Sequence, residues 1–336
     1  MQALNNDFLR YWCYQLKTYD CDPSLYLMNY LFNRYEFNLE QKYWLCWIYA
    51  NTYHLPTAWV IWNEFPDFAH VGIERLTRFQ GDNYTRLPYQ KDQKWLRGKL
   101  PETFAAYRAA VEPHGSQLAF WDAVAPDDSF SPAWQTILGK TFPRFGRYTA
   151  WFYLQSLNEC CGHDFVPPSM FFSDPSCKQP REGACLAVLP KFNRPPTDAE
   201  LESWCDDQII LAHGILAEEL ETLPVSPDRF SLETSLCAWS KMPRGAPKGR
   251  YLGYYLDRMA EDIIKTSEQE WPGIEWDALW DGRREILLPE LNQDKVNPWM
   301  MDTYPTSGSY TVDVDLLYRL DQWYDTQCAK SYNFLL

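Results

Sequence analysis

The side chains best suited to chemistry on an anion sit in a turn and in two basic clusters. The turn is Phe142-Pro143-Arg144-Phe145-Gly146-Arg147-Tyr148-Thr149-Ala150. A helix, a tight turn with a bulky apolar residue and proline, and a glycine opening a second helix together make a phosphate grip. The amides at the second helix's N-terminus point outward with the helix dipole behind them. Lys140, Arg144, Gly146, Arg147 and Thr149 are therefore the predicted DNA contacts. The competing reading is an ordinary helix–turn–helix packing corner.

Beyond the turn, Phe171-Phe172-Ser173-Asp174 supplies a carboxylate. Asp174 could act as a general base, or could simply cap the turn opened by Pro175. The segment from Lys241 to Arg258 holds five basic residues against Asp257 alone. Within it Arg244, Lys248 and Arg250 lie around Gly245, Pro247 and Gly249, a loop able to wrap closely around an oxyanion. A helix starting near Tyr251 would place Tyr251, Tyr254 or Tyr255, and Arg258 on one face. Asp257 falls about 100° off that face and would meet another element. An amphipathic helix with core tyrosines and a surface arginine gives the same pattern.

His163 follows Cys160-Cys161-Gly162, but adjacent cysteines are poor joint ligands and Cys177 and Cys185 complete no zinc or iron–sulfur spacing. No metal site is expected. No phosphate-cradling Gly-x-x-x-x-Gly-Lys loop, dinucleotide fingerprint or Gly-x-Ser-x-Gly elbow is present, so kinase, hydride-transfer and esterase chemistry lack support.

These groups must be positioned by helices. Apolar residues recur at helical spacing over 24–32, 38–53 and 56–65, with Asp22 and Asn38 as caps and Pro66 as a stop. Further helices are expected over 103–112, 132–138, 147–159, 198–222 and 251–266. Period-2 alternation is confined to 310–314, so the predicted class is all-α. Three regions are expected: an N-terminal helical lobe to residue 130, a catalytic lobe over 131–295 containing the turn, and an extension over 296–336 packing on the core.

A chain of 336 residues, 46% hydrophobic, can bury a sizeable core. Its 17% aromatic content suits thick cores and base-stacking surfaces alike. The net charge of −14 argues against general polyanion affinity. The charge is segregated, however. Residues 75–108 carry eight basic residues against three acids, whereas 198–233 carry ten acids against Arg229 alone. Asp7, Arg10 and Lys17 interrupt the first apolar residues, and no apolar run reaches membrane-spanning length, so a protein without membrane association is expected. The ten scattered cysteines then read as reduced thiols.

The turn resembles that of the helix-hairpin-helix DNA glycosylases, Leu-Pro-Gly-x-Gly-x-x-Thr-Ala followed by an essential aspartate. Pro143, Gly146, Thr149 and Ala150 are kept, Arg144 replaces the first glycine, and Asp174 stands near the aspartate's position. A bilobal helical architecture of that kind is what the resemblance implies.

A wider resemblance rests on Asn38-Leu39-Glu40-Gln41-Lys42-Tyr43-Trp44, Phe65-Pro66-Asp67, the 145–150 turn and Gly249-Arg250-Tyr251-Leu252-Gly253-Tyr254-Tyr255-Leu256-Asp257-Arg258. Together these look like the bacteriophage amino acid:DNA transferases, also called α-glutamyl/putrescinyl thymine pyrophosphorylases, over roughly residues 20–295. The resemblance implies action in the host cytoplasm on double-stranded DNA carrying pyrophosphorylated 5-hydroxymethyluracil, with a free amino acid or polyamine displacing pyrophosphate. Such chemistry needs a stabilised leaving group, a deprotonated nucleophile and an unstacked base. Arg244, Lys248, Arg250 and Arg258 would take the pyrophosphate across one pocket from the turn. Tyr251 and Tyr254 would line that pocket, and Asp174 or Asp257, with His163 as an alternative, would handle the proton. No cofactor is expected, and Mg2+ held through the substrate's pyrophosphate would leave no motif. A base-excision glycosylase and a non-enzymatic helical DNA-binding protein are the other classes open to this sequence.

Overall fold

A computed structural model describes residues 7–139, 141–188, 194–223, 225–241, 253–286 and 314–332. Fifteen α-helices and no strand occur among them, so the all-α reading holds. In chain order they begin with α1 (Asp7–Lys17), α2 (Pro23–Arg34), α3 (Leu39–Thr52), α4 (Leu55–Glu64), α5 (Ile73–Asp82), α6 (Leu100–Val111), α7 (Gln117–Val124) and α8 (Phe130–Leu138). They continue with α9 (Arg147–Cys161), α10 (Lys178–Val188), α11 (Asp198–Ile215), α12 (Arg229–Trp239), α13 (Tyr254–Ser267), α14 (Trp276–Ile286) and α15 (Val314–Tyr332). None is long and apolar enough to cross a membrane. The alternation expected over 310–314 is not a strand at Val314, which opens α15; residues 310–313 lie outside the described set.

Two compact units are each assembled from separated stretches of chain: 1–23, 169–261 and 284–336 form one, 24–168 and 262–283 the other. The expected boundary near residue 130 falls inside the second, at the first residue of α8.

The second unit is organised by α3. Asn38 and Gln41 close a reciprocal capping box, each side chain accepting the other's amide at 3.0 Å. Tyr53 ends the helix in the left-handed region, φ 43°. From Tyr43 to Thr52 every residue is buried, so α3 needs neighbours all round. It finds them in α4, α7 and α9. Trp44 and Trp47 stack at 5.3 Å, and Trp47 lies flat on Tyr107 of α6 at 5.2 Å. Eight tryptophans are buried in this way among the described residues, and Trp12, Trp44, Trp47, Trp59, Trp121 and Trp151 are fully enclosed.

In the first unit α1 packs on α11, α12 and α15, with Phe8 touching the rings of Trp204 and Trp239 at 5.5 and 5.6 Å. Helices α10 and α12 come so close that a Cβ on Gly183 would overlap the backbone carbonyl of Leu236. Gly183→Ala must push two helices apart, and a loss of about 1–3 kcal/mol is expected in urea denaturation of the whole chain.

Candidate nucleic-acid interface and buried aspartate cluster

The predicted turn lies in the second unit, between α8 and α9. Phe142 is its anchor, 2% exposed and in ring contact with Tyr107, Trp121 and Tyr153. The amide of Phe145 closes the turn on the carbonyl of Phe142 at 3.1 Å. That closure sends Arg144 into the left-handed region, φ 71°, a conformation costing a non-glycine residue about 1–2 kcal/mol. The backbone thus keeps the geometry of a glycine position while carrying an arginine. The exposed Arg144 guanidinium donates to Glu102 of α6 at 2.9 Å, with Lys99 3.9 Å from the same carboxylate.

Gly146 begins α9 with no side-chain cap. It is exposed, and a Cβ there would meet nothing within 4 Å. Arg147 and Thr149 are buried. Arg147 lies over the Trp151 ring at 4.7 Å, and Thr149 trades hydrogen bonds with buried Gln93, 2.8 and 3.2 Å. These two hold the turn in place, while Arg144 and Gly146 form its surface. Lys140 lies outside the described residues.

Gln93 belongs to a 3-10 helix over Lys91–Leu96, so the Thr149 bond fixes the basic 75–108 segment against the turn. Lys91, Lys94 and Trp95 are exposed there, Trp95 by 44%. Arg97 donates to the carbonyl of Tyr84 at 2.8 Å and covers its ring. Cations interleaved with accessible aromatics suit a phosphate backbone with unstacked bases. The sequence pointed to both segments. Their junction through Gln93 and Thr149 carried no signal.

Nearby in the same unit, His163 is a link in a partly buried chain. Its Nδ1 lies 2.5 Å from Asp128 and its Nε2 2.7 Å from the Tyr43 hydroxyl. Stacked on Phe165 at 4.7 Å, it ties α3 to the loop after α9. The Cys46 and Cys161 sulfurs are 3.8 Å apart beside it.

The first unit holds the expected carboxylates. Asp174 caps the 3-10 turn Pro175–Cys177, its Oδ1 accepting from the Ser176 amide at 2.8 Å and hydroxyl at 2.6 Å. On α13, Asp257 and Tyr254 are buried and Arg258 is half-buried. Arg244, Lys248, Arg250 and Tyr251 lie outside the described residues.

Asp20 was not anticipated. It is fully buried and accepts from the amides of Gly253 (2.8 Å), Tyr255 (2.8 Å) and Leu256 (3.2 Å). The N-terminus of α13 is therefore occupied by a carboxylate from the chain itself. Tyr19 and Asp22 on either side are left-handed, φ 67° and 49°, and Asp22 accepts from Thr234 at 2.9 Å. Burial pushes the Asp20 carboxyl up to about 7, against the opposing pull of those amides. Asp228, cap of α12, is likewise raised by burial to about 6.

Between the ordinary aspartate range and about 7, folded Asp20 holds a proton that the unfolded chain has lost. The contribution of Asp20 to stability is therefore fully present below the ordinary aspartate range and is lost as pH rises through that window. Urea midpoints measured from pH 4 to 8 should show this decline, and Asp20→Asn should flatten it; an unchanged slope would remove Asp20 as its source.

A family model described as amino acid:DNA transferase matches residues 17–246. The match contains Asp20, the turn and Asp174, and ends before Lys248, Arg250, Tyr254, Asp257 and Arg258. A relative from Salmonella phage ViI, a serinyltransferase, is 24% identical over 297 residues, covering 80% of this chain and 71% of its own length. The chain belongs to the amino acid:DNA transferase family and is a DNA-modifying transferase.

Proposed function

We propose that the protein acts in the host cytoplasm on duplex DNA carrying 5-(pyrophosphoryloxymethyl)uracil and transfers an amino acid to it, with serine the first candidate because of the relative's name. The amine attacks the methylene carbon, the carbon–oxygen bond breaks, and pyrophosphate leaves with the bonding electrons. The observation that carries DNA contact is the uncapped opening of α9 at Gly146, two residues after Arg144 and joined through the Thr149–Gln93 bond to the 3-10 helix that bears the exposed Lys91 and Lys94. Because Asp20 occupies the amides of α13, that helix end offers the pyrophosphate no seat. Its charge falls instead to Arg244, Lys248, Arg250 and Arg258, with or without Mg2+ on the leaving group, and Tyr251 and Tyr254 line the pocket. Asp174 or Asp257 takes the proton that the amine loses.

Incubation with such DNA and serine should release pyrophosphate and yield a seryl-modified nucleoside by mass spectrometry. Release with putrescine but with no amino acid would replace the nucleophile; abasic sites without release would overturn the reading.

Asparagine caps as well as aspartate, so Asp174→Asn preserves the turn. Turnover lost at unchanged stability would assign Asp174 to catalysis, and unchanged turnover would leave it as a cap.

Arg144→Gly should relax the left-handed backbone, leaving stability unchanged or raised, while weakening DNA binding and lowering the salt slope by about 0.9 for the lost phosphate contact. Equal affinity and slope in salt-dependent fluorescence anisotropy would exclude Arg144 from the interface.

A further inference from the structure

A cleft of about 450 Å³ in the second unit is unused by anything described so far. It lies between the first turn of α3, the segment Pro66–Ala69, and the end of α6 with its 3-10 continuation. Its size falls among clefts that take small molecules, and its lining is charged in both senses.

Arg108 and Glu112 stand on one wall, four residues apart along one helical run. That spacing ordinarily favours an ion pair, yet none forms here. The Arg108 guanidinium donates to the Val71 carbonyl at 3.0 Å, which neutralises no charge, and neither residue has an ion-pair partner among the described residues. Across the cleft, Asp67 accepts from the Ala69 amide at 2.9 Å and meets His70 at 2.6 Å. The His70 contact lowers the Asp67 carboxyl and keeps it ionised.

Glu40 has a different task. Its carboxylate accepts from the amides of Gln117 (3.0 Å) and Leu118 (2.8 Å) and from the Gln117 side chain (3.1 Å). It joins the start of α3 to the start of α7 and fixes the cleft's shape, leaving Arg108, Glu112 and Asp67 to meet a ligand.

A guanidinium and a Glu112 carboxylate without ion-pair partners among the described residues, with the His70-bound Asp67 opposite, complement a small zwitterion, and a guanidinium fork matches a carboxylate. The geometry points to this cleft as the binding site for the free amino acid. Arg108 takes its α-carboxylate, and Glu112 and Asp67 face its amino group, which binds as the ammonium and must give up a proton before it attacks. The assignment rests on the amino-acid transfer reading above. The location is consistent with it, since α6 also carries Glu102, the partner of Arg144. Six residues of helix separate Glu102 from Arg108, about 9 Å along the axis. A polyamine has no carboxylate for Arg108, so the cleft selects for amino acids.

Calorimetric titration of the full chain, with and without DNA, against L-serine, ethanolamine and 3-hydroxypropionate tests the site. Serine should bind, and both analogues, each lacking one charge, should bind at least about tenfold more weakly. Arg108→Gln should weaken serine at least about tenfold without changing ethanolamine, and Glu112→Gln should weaken serine without changing 3-hydroxypropionate. Arg108→Lys should recover part of the affinity and shows whether a loss in Arg108→Gln is a folding defect. In turnover, Arg108→Gln should raise KM for serine while kcat and DNA affinity change by less than about twofold.

Ethanolamine binding as tightly as serine, full serine affinity in both charge-removing variants, or no serine binding by the wild type in either condition overturns the assignment. Serine binding that depends on Arg108 in a protein releasing no pyrophosphate would keep the site and refute the transfer reading. Turnover with an unchanged KM in Arg108→Gln would do the reverse.

Discussion

Helix α3 is enclosed along ten consecutive residues, Tyr43 to Thr52, and much of the second unit follows from that enclosure. A helix without a solvent face cannot satisfy its polar side chains with water, and several of them bond instead to neighbouring elements. The Tyr43 hydroxyl meets His163, the Trp44 indole nitrogen donates to the Phe65 carbonyl at 2.6 Å, and Asn51 accepts from Thr103 at 2.9 Å. These bonds fix how the loop after α9, the end of α4 and the start of α6 stand around α3. Large flat aromatics fill the space between, and their interlock leaves little freedom to slide.

The functional surfaces of that unit are the places where this packing reaches solvent. At the C-terminal end of α3, the Thr52 carbonyl receives the Gln90 amide at 3.1 Å, just before the 3-10 helix whose Gln93 grips Thr149. At its N-terminal end, Glu40 fixes α7. The turn before α9 and the charged cleft are thus tied to opposite ends of one helix, and α6 carries Glu102, which meets the turn, and Arg108, which lines the cleft. A site built on packed helices can hold its groups to the tolerance that displacement at carbon requires.

The helices legible in the sequence were those with strong punctuation. Asn38, Pro66, and Gly146 before an apolar run all signal ends that lie within a residue or two of their expected places. Helices α1, α5, α7, α10, α12, α14 and α15 went unread. In α5 the cations Arg75 and Arg78 read as part of a charge run, although Leu76 and Gln80 bury one face. The short α7 is capped by Ser116 and steadied by Glu40, a residue 77 positions away. Long-range ties of this kind leave no local pattern. Asp20 is the clearest case: it sits in Tyr-Asp-Cys-Asp, reads as a loop acid, and finds its three amides more than 230 residues later. Residue type and spacing identified candidates, but burial decided their roles. It withdrew Arg147 and Thr149 from the surface of the turn and left Arg144 and Gly146 on it.

Charge segregation explains how a chain of net charge −14 approaches a polyanion. Many of its cations are engaged by its own acids: Arg10 with Asp321, Lys17 with Glu219, Arg34 with Glu275 and Asp281, Arg181 with Asp198, Arg194 with Glu200. Such cations, like Arg144 with Glu102, must give up a partner before they contact a phosphate, at the modest cost of an exposed pair. The surplus of cations over 75–108 is different, since Lys91 and Lys94 project from a turn with few acids about it. Acidic surface elsewhere repels phosphate within roughly a Debye length, about 8 Å at physiological salt, and disfavours misdirected encounters. The same economy applies within the charged cleft, where the absence of an internal Arg108–Glu112 pair keeps a cation and an anion available to a ligand bearing both charges.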